Sequence, residues 1–200
     1  MSTERAIKQA QEAFDQRKNV LINQLANPDF LANKGLGNEV GVYILCYDPA
    51  LELDLRAFVN QLEHKSQTGE LPCNIIQCNL YDHILSICEK RRVLSALDRM
   101  EQKRGTRSLI DQLRKTVSPA VIAEALTYEP HNPGDVLLIT GVGEAYPLVR
   151  VHALLDNIQH LFEDVPVIVA YPGHYDGQSL RLFAGANQKG LEDGNYYRAF

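Results

Sequence analysis

The chain has no tryptophan, two methionines and four cysteines among its 200 residues. Cys73 and Cys78 stand five positions apart in a predicted strand, so their side chains should project from opposite faces. That placement suits neither a zinc knuckle nor a CxxC redox pair. Cys46 and Cys88 also lie in apolar surroundings. We therefore expect buried free thiols in a reducing compartment and no metal site built on cysteine.

Long hydrophobic runs are missing as well. No segment approaches the ~20 consecutive apolar residues that a membrane-spanning helix needs. The first residues, MSTERAIKQAQEAF, lack the apolar core of a signal peptide. The sequence thus predicts a cytoplasmic protein that makes no contact with a membrane.

Basic charge is scarce, since 20 Lys and Arg face 25 Asp and Glu, for a formal net charge of -5 at pH 7. Non-specific binding of nucleic acid needs a clustered basic footprint, and the nearest approach to one is the stretch 89–115. Its bases are interleaved with Glu89, Asp98, Glu101 and Asp111, which favours a solvated helix face. Direct binding of nucleic acid is therefore not expected.

The apolar residues that are present follow two periodicities. Four short runs are typical of buried strands, namely VYILCY, CNIIQCNL, DVLLIT and VPVIVAYPG. Segments between them repeat apolar residues at three- and four-residue steps, as amphipathic helices do. This alternation predicts a three-layer α/β fold with a mainly parallel sheet of about four to five strands. A tight Asp176–Gly177 turn predicts an antiparallel edge strand or hairpin after the fourth strand, ending in GNYYRAF.

Helices are also expected outside the strand connections. The pattern predicts an N-terminal helix within residues 1–27 and several helices within 80–129, with Ser118 as a cap and Pro119 at the first helical position. Because the second region is longer than a crossover needs, we expect it to form a helical lobe over one face. The prediction is a single α/β domain over residues 1–200.

A strand, a glycine turn and a predicted helix beginning at Pro147 follow one another in LITGVGEAYPLVR, the order found in phosphate-binding loops. A dinucleotide fingerprint would need a third glycine at Tyr146, and a P-loop would need a lysine after Gly143. Glu144 also places negative charge where phosphates would lie. The pattern favours a tight turn at the carboxyl edge of the sheet. The contact candidates in this turn are Gly141, Gly143, Tyr146, Pro147 and Arg150.

Polar and aromatic residues crowd the segment YPGHYDGQSLRLF at the same edge. His174 near Asp176 and Ser179 would suggest acid–base or hydrolase chemistry, but Ser179 is not in a GxSxG elbow. The histidines form no H-x-x-x-H or H-x-H pair that would indicate a metal. We therefore predict no catalytic residue and no metal ligand here. The contact candidates are Tyr171, Pro172, Gly173, Tyr175, Asp176, Gln178, Ser179 and Arg181.

The third candidate is the glycine-rich segment FLANKGLGNEVG, a loop by composition that precedes the first strand. Two interpretations remain open for it, a backbone clamp against the sheet edge and a contact with a partner. The candidates in this segment are Lys34, Gly35, Gly37, Asn38 and Glu39. Asp48, at the end of the first strand, resembles a Walker-B acid in position, but without a P-loop that resemblance carries no chemistry, and a helix cap explains the residue.

Three segments together resemble a known family. FLANKGLGNEVGVYILCYDP, LLITGVGEAYPLVRVHALLDNIQ and VPVIVAYPGHYDGQSLRLF with a terminal NYYRAF are similar to the signature blocks of BrxB, the small α/β component of bacterial BREX anti-phage systems. Their order and spacing agree from Phe30 to Phe200. The most specific of them is YPG-x-YDGQSLRLF.

The resemblance implies a non-enzymatic cytoplasmic protein with no cofactor and a Rossmann-like fold that lacks the phosphate motifs. It implies partners among the larger BREX proteins: a phosphatase-like PglZ-type protein foremost, then an AAA-type ATPase and a DNA methyltransferase. Two other hypotheses remain open. The strand–GxG–helix order suggests a nucleotide-binding subunit, and the His and acid residues of YPGHYDGQS suggest a DNA-processing subunit.

Overall fold

The computed structural model describes residues 3–33, 41–177, 179–184, 191–195 and 198–200. The strands in these ranges are β1 (Val42–Tyr47), β2 (Asn74–Asn79), β3 (Asp135–Thr140), β4 (Val167–Tyr175), β5 (Ser179–Leu182), β6 (Leu191–Asn195) and β7 (Arg198–Ala199). The helices are α1 (Thr3–Leu25), α2 (Pro28–Leu31), α3 (Glu52–Gln67), α4 (Leu80–Lys90), α5 (Leu97–Thr116), α6 (Pro119–Leu126), α7 (Val142–Ala145) and α8 (Val151–Ile158). The predicted α/β class is confirmed.

The sheet runs in the order β2-β3-β4-β1-β7, and all of these neighbours are parallel. Beyond the carboxyl ends, β5 pairs antiparallel with the last residues of β4, and β6 pairs antiparallel with β5. The predicted antiparallel hairpin is therefore present as β4 and β5. The chain's last strand differs from the prediction, because β7 joins β1 in parallel. β5 and β6 each reverse the direction of the chain, so β6 runs in the same direction as β4.

Side chains of the central strands alternate between two hydrophobic clusters. On β1, Ile44 and Cys46 pack with α4, α6 and α8, while Leu45 and Tyr47 pack with α1 and α3. All four side chains are at most 3% exposed. A strand buried on both faces is what the continuous apolar runs predict, so helices cover both faces of the sheet in three layers.

β2 was wrongly predicted to be buried. It pairs with β3 at the end of the sheet, and Asn74 and Gln77 are exposed. An apolar run does not show whether its strand lies in the middle or at the end of the sheet, because that depends on the order of all the strands. Cys73 and Cys78 pack in the two different clusters, as predicted from their spacing. All four cysteines are free and buried, and burial raises the pKa of both Cys73 and Cys78 to about 11.

Two helix boundaries also differ from the predictions. The segment predicted as a loop before β1 begins with the one-turn helix α2, whose Asn27 cap accepts a hydrogen bond from the Asp29 amide at 3.0 Å. The helix predicted to begin at Pro147 begins at Val151, because the one-turn helix α7 and a turn come first. Because α8 ends at Ile158, Leu161 lies beyond the helix and is 39% exposed.

The region 80–129 contains α4, α5 and α6, and its helices differ in burial. α4 and α6 each contribute buried residues to the core, and Ser118 caps α6 as predicted. α5 contributes no buried residue, and it is broken at Gly105, whose φ of 77° and ψ of 159° are not helical. The division into one domain with a helical lobe stays a prediction. No helix in the described ranges is long and apolar enough to cross a membrane.

Candidate functional site

The parallel topology brings two of the three predicted segments to one edge of the sheet. Asp48 follows β1, Gly141 follows β3, and Gly173 lies where β4 extends beyond its neighbours. In open α/β sheets, ligands and contacts gather at the carboxyl ends of the strands. The third segment, 34–40, lies outside the described residues.

The turn after β3 depends on Gly141. Its φ is 71°, in the left-handed region, and a Cβ there would lie 2.3 Å from Asn79 Oδ1. That oxygen caps α4, since it accepts hydrogen bonds from the amides of Tyr81 at 2.9 Å and Asp82 at 3.3 Å. A glycine is needed at position 141, because any side chain there would clash with the Asn79 side chain that caps α4.

The single helical turn that follows is held by a chain of polar contacts. Tyr47 OH donates to Glu52 Oε2 at 2.5 Å, Arg56 Nε donates to Glu52 Oε1 at 2.9 Å, and Arg56 Nη2 donates to Glu144 Oε1 at 2.6 Å. Burial, followed by the hydrogen bond to Glu52, raises the pKa of Tyr47 far above its usual value. Glu144 therefore pairs with α3 at the position where a nucleotide-binding loop would present positive charge to a phosphate.

Sequence reasoning missed Glu52 and Arg56 as members of this edge. Their i,i+4 spacing at the start of a helix is a local signal of an ion pair. The contact with Glu144, which lies 88 positions further along the chain, carries no such signal.

The extension of β4 packs closely on β5. A Cβ on Gly173 would lie 2.1 Å from the carbonyl oxygen of Arg181, and the Phe183 amide donates to Pro172 O at 2.8 Å. Two glycines therefore shape this edge, one in the turn after β3 and Gly173 in the strand. The close approach requires Gly173 because any larger residue would push the two backbones apart.

Phe183, which follows β5, joins this hairpin to α7. Its ring packs edge-on against Tyr146 with centroids 5.9 Å apart. A Cβ on Gly143 would lie 3.1 Å from both the Phe183 ring and the Pro172 side chain. The GVG turn and the β4–β5 hairpin, which the sequence presents as separate motifs, thus form one packed unit.

The Asp176 turn uses its polar groups internally. Asp176 Oδ1 accepts from the Ser179 amide at 2.7 Å, and Asp176 Oδ2 accepts from the Ser179 hydroxyl at 3.1 Å. Arg181 Nη2 lies 3.5 Å from Asp176 Oδ2, and His174 stands opposite Arg181 in the strand pairing. The predicted turn at Asp176–Gly177 is confirmed. The carboxylate of Asp176 thus accepts hydrogen bonds from both the amide and the hydroxyl of Ser179 within the turn.

Two concavities flank the packed unit. One, of about 420 Å³, lies over the ends of β1 and β4, and its polar lining comes from Gln9, Arg17, Asp48 and His174. Asp48 also accepts the Ala50 amide at 2.9 Å, which confirms its predicted capping role. The other, of about 220 Å³, lies between α3 and the ends of β2 and β3.

The predicted contact residues differ widely in exposure. Arg150 and Asp176 are exposed. The partly exposed candidates are Asp48, Gly141, Gly143, Tyr146, Pro147, Tyr175, Ser179 and Arg181. Tyr171, Pro172 and Gly173 are buried, so they support the edge from beneath and are not accessible to a partner in this structure. The candidates outside the described residues are Lys34, Gly35, Gly37, Asn38, Glu39 and Gln178. Across the described ranges, no group of three or more His, Cys, Asp or Glu side chains is placed to hold a metal ion.

Comparison with known proteins decides the family. The family model described as BREX protein BrxB matches residues 76–200. The chain belongs to the BrxB family. That match includes the GVG turn and the β4–β5 hairpin, while α3 with Arg56 lies before it. The resemblance carried by the sequence motifs is thereby confirmed.

Two relatives extend this BrxB similarity over most of the chain. BREX protein BrxB of Bacillus cereus (strain H3081.97) is 32% identical over 191 residues, which cover 94% of this chain and 96% of that protein. BREX protein BrxB of Escherichia coli O9:H4 (strain HS) is 31% identical over 173 residues, or 86% of this chain and 82% of that protein. No solved structure matches the chain.

Proposed function

We propose that this BrxB-family chain is a non-catalytic component of a BREX bacteriophage-defence system and acts there as an assembly module for larger BREX proteins. Membership of the family supports the place in the defence system. The observation that supports the assembly role is that polar side chains at the carboxyl edge bond to one another. Glu144 pairs with Arg56, and the Ser179 hydroxyl donates to Asp176.

The contact surface in this proposal is the outer side of the packed unit formed by the GVG turn and the hairpin. Exposed charged groups on this surface include Arg150, beside the turn, and Asp176, at the tip of the hairpin. Rigid loops lose little conformational freedom on binding, and the packing of Tyr146 on Phe183 supplies that rigidity. The partners we propose are the phosphatase-like PglZ-type protein first, then the AAA-type ATPase and the DNA methyltransferase.

Co-purification tests this role. The tagged chain is expressed with each of the three large BREX proteins in turn, and we expect at least one stable complex. Arg150→Glu should weaken that complex, because reversal of an interface charge places like charges together. Lys8→Glu, which makes the same change of charge at an exposed position of α1, is the matched control. Failure of the unmodified chain to capture any of the three proteins would sink the assembly role.

The larger concavity favours a second candidate function, the binding of a small anionic ligand such as a nucleotide. It lies at the carboxyl ends of two adjacent parallel strands, and Arg17 and His174 line it. Calorimetry with ATP, GTP and NAD tests this candidate, and absence of heat at high ligand concentration would dismiss it. A DNA-processing role would instead require that His174→Ala or Asp176→Ala abolish a metal-dependent activity in a folded protein.

A further inference from the structure

Charge is unevenly distributed along the chain. The stretch 89–115 holds nine bases and four acids, for a net charge of +5. The remaining residues hold eleven bases and twenty-one acids, for a net charge of -10. The bases in this stretch are Lys90, Arg91, Arg92, Arg99, Lys103, Arg104, Arg107, Arg114 and Lys115. One short stretch therefore carries nearly half of the positive charge of an acidic protein.

The structure places all nine of these bases on the surface. Six of them belong to α5, the helix that contributes no buried residue. Within the described ranges, Arg114 pairs with Asp111 at 3.6 Å, whereas no carboxylate lies within ion-pair distance of Arg99, Lys103 or Arg107. The interleaved acids therefore leave most of the positive charge of this helix exposed to solvent.

α5 also carries apolar side chains that neither core cluster includes. These are Leu97, Met100, Leu109 and Ile110, all of them partly exposed. A helix that is polar all round needs no such residues. Two of these residues precede the break at Gly105 and two follow it, so each half of α5 presents a pair of apolar side chains between charged positions, as groove-binding helices do. The combination of apolar positions and excess positive charge describes a binding surface without its partner.

We propose that α5 is a docking arm that binds an acidic surface on a partner protein. This inference rests on the proposed assembly function and names the chemistry of one contact. A groove with an apolar floor and a rim of aspartates and glutamates would bury the apolar residues and pair with the bases. The net charge of -10 on the rest of the chain would steer such a partner toward the arm and away from other surfaces.

Nucleic acid fits these observations less well. Asp98, Glu101 and Asp111 lie on the same helix as the bases and would be repelled by a phosphate backbone. The apolar side chains would gain no burial against phosphates. A protein surface carries both signs of charge, so its own bases pair with these acids and set the register of the contact.

Charge reversal on the arm tests the proposal. Arg99→Glu with Arg107→Glu lowers the net charge by four on residues that are exposed, so the fold should be kept. Arg5→Glu with Lys8→Glu makes the same change of charge on exposed positions of α1 and is the matched control. Far-UV circular dichroism and thermal midpoints of both variants verify that each is folded.

Binding is measured for the unmodified chain and both variants against the three large BREX proteins, each immobilised separately, and against a duplex of about 30 base pairs. We expect the arm variant to bind its protein partner at least ~10-fold more weakly at about 50 mM salt, with a smaller deficit at about 500 mM, because salt screens the lost attraction. The control variant should stay within about twofold of the unmodified chain, since exposed charges outside an interface contribute little. Ile110→Ser should weaken binding at both salt concentrations, because apolar burial is not screened.

The outcomes separate the two proposals. Equal binding by the unmodified chain and the arm variant would overturn the docking arm while leaving the assembly function standing. Absence of binding between the unmodified chain and any of the three proteins would overturn both. Salt-sensitive capture of the duplex that the arm variant loses would assign the arm to nucleic acid and overturn the acidic protein partner.

Discussion

Replacement of Gly141 by alanine should cost two separable free energies. The first is the cost of a left-handed backbone at a non-glycine residue, roughly 1–2 kcal/mol, since φ is 71° at this position. The second is the helix cap, because a Cβ would lie 2.3 Å from Asn79 Oδ1 and displace it from the α4 amides. Loss of a side-chain cap costs typically about 1 kcal/mol. The free energy of unfolding should therefore fall by ~2–3 kcal/mol.

A matched glycine isolates the backbone contribution. Gly69 has a φ of 76°, and a Cβ added to it would have no atom within 4 Å, so Gly69→Ala incurs the backbone cost alone. Asn79→Ala removes the cap alone. The Gly141→Ala and Asn79→Ala double variant should be no less stable than Gly141→Ala, because the cap is lost once in either case.

The assay is urea unfolding followed by far-UV circular dichroism, since the chain has no tryptophan to report by fluorescence. The expected result is that Gly141→Ala is less stable than Gly69→Ala by about 1 kcal/mol. Equal losses for the two glycines, or strict additivity of Gly141→Ala and Asn79→Ala, would refute the idea that the β3 turn and the α4 cap share one space.

Two further predictions concern the hairpin and the cysteines. Gly173→Ala should force β5 away from β4 at a cost of about 1–3 kcal/mol in the free energy of unfolding, because its Cβ would lie 2.1 Å from Arg181 O. The Phe183 amide, which bonds to Pro172 O, should then exchange its hydrogen faster. Unchanged exchange would contradict the prediction. The free energy of unfolding should fall as pH rises from 9 toward 11, because the folded state raises the pKa of Cys73 and Cys78 to about 11 and so holds their protons more tightly than the unfolded chain. Urea unfolding across this pH range measures the loss, which should be smaller in a Cys73→Ala and Cys78→Ala variant; an equally steep loss in that variant would assign it to other groups.

Local signals in the sequence predict the parts of the fold that depend on local contacts. Asp48 before a proline and Ser118 before Pro119 indicate caps, and both caps are present. The alternation of apolar runs and amphipathic segments predicts the parallel sheet because each element must bury its own apolar face. The end position of β2 does not follow from such signals, because a strand's neighbours are chosen by the whole chain.

At the candidate site as well, the sequence predicts local features but not the contacts between distant residues. The residue types of the GVG turn suffice to disfavour a phosphate cradle, since Glu144 and the missing lysine are visible in the sequence. The ion pair between Arg56 and Glu144 that holds the turn is not visible in the sequence, because the two residues are 88 positions apart. The packing of Phe183 on Tyr146 joins two motifs whose proximity depends on the strand order.

The two ends of the parallel sheet restrict how another chain can join it. β2, at one end, presents the polar residues Asn74 and Gln77, whose side chains bond across to β3 at 2.9 Å and 3.2 Å. β7, at the other end, is two residues long, and beyond it the Phe200 amide donates to Ile44 O at 3.2 Å. A short strand and a polar strand are both poor templates for strand addition. An incoming protein is therefore directed to side-chain surfaces, and fusion of this sheet with another by backbone pairing is disfavoured.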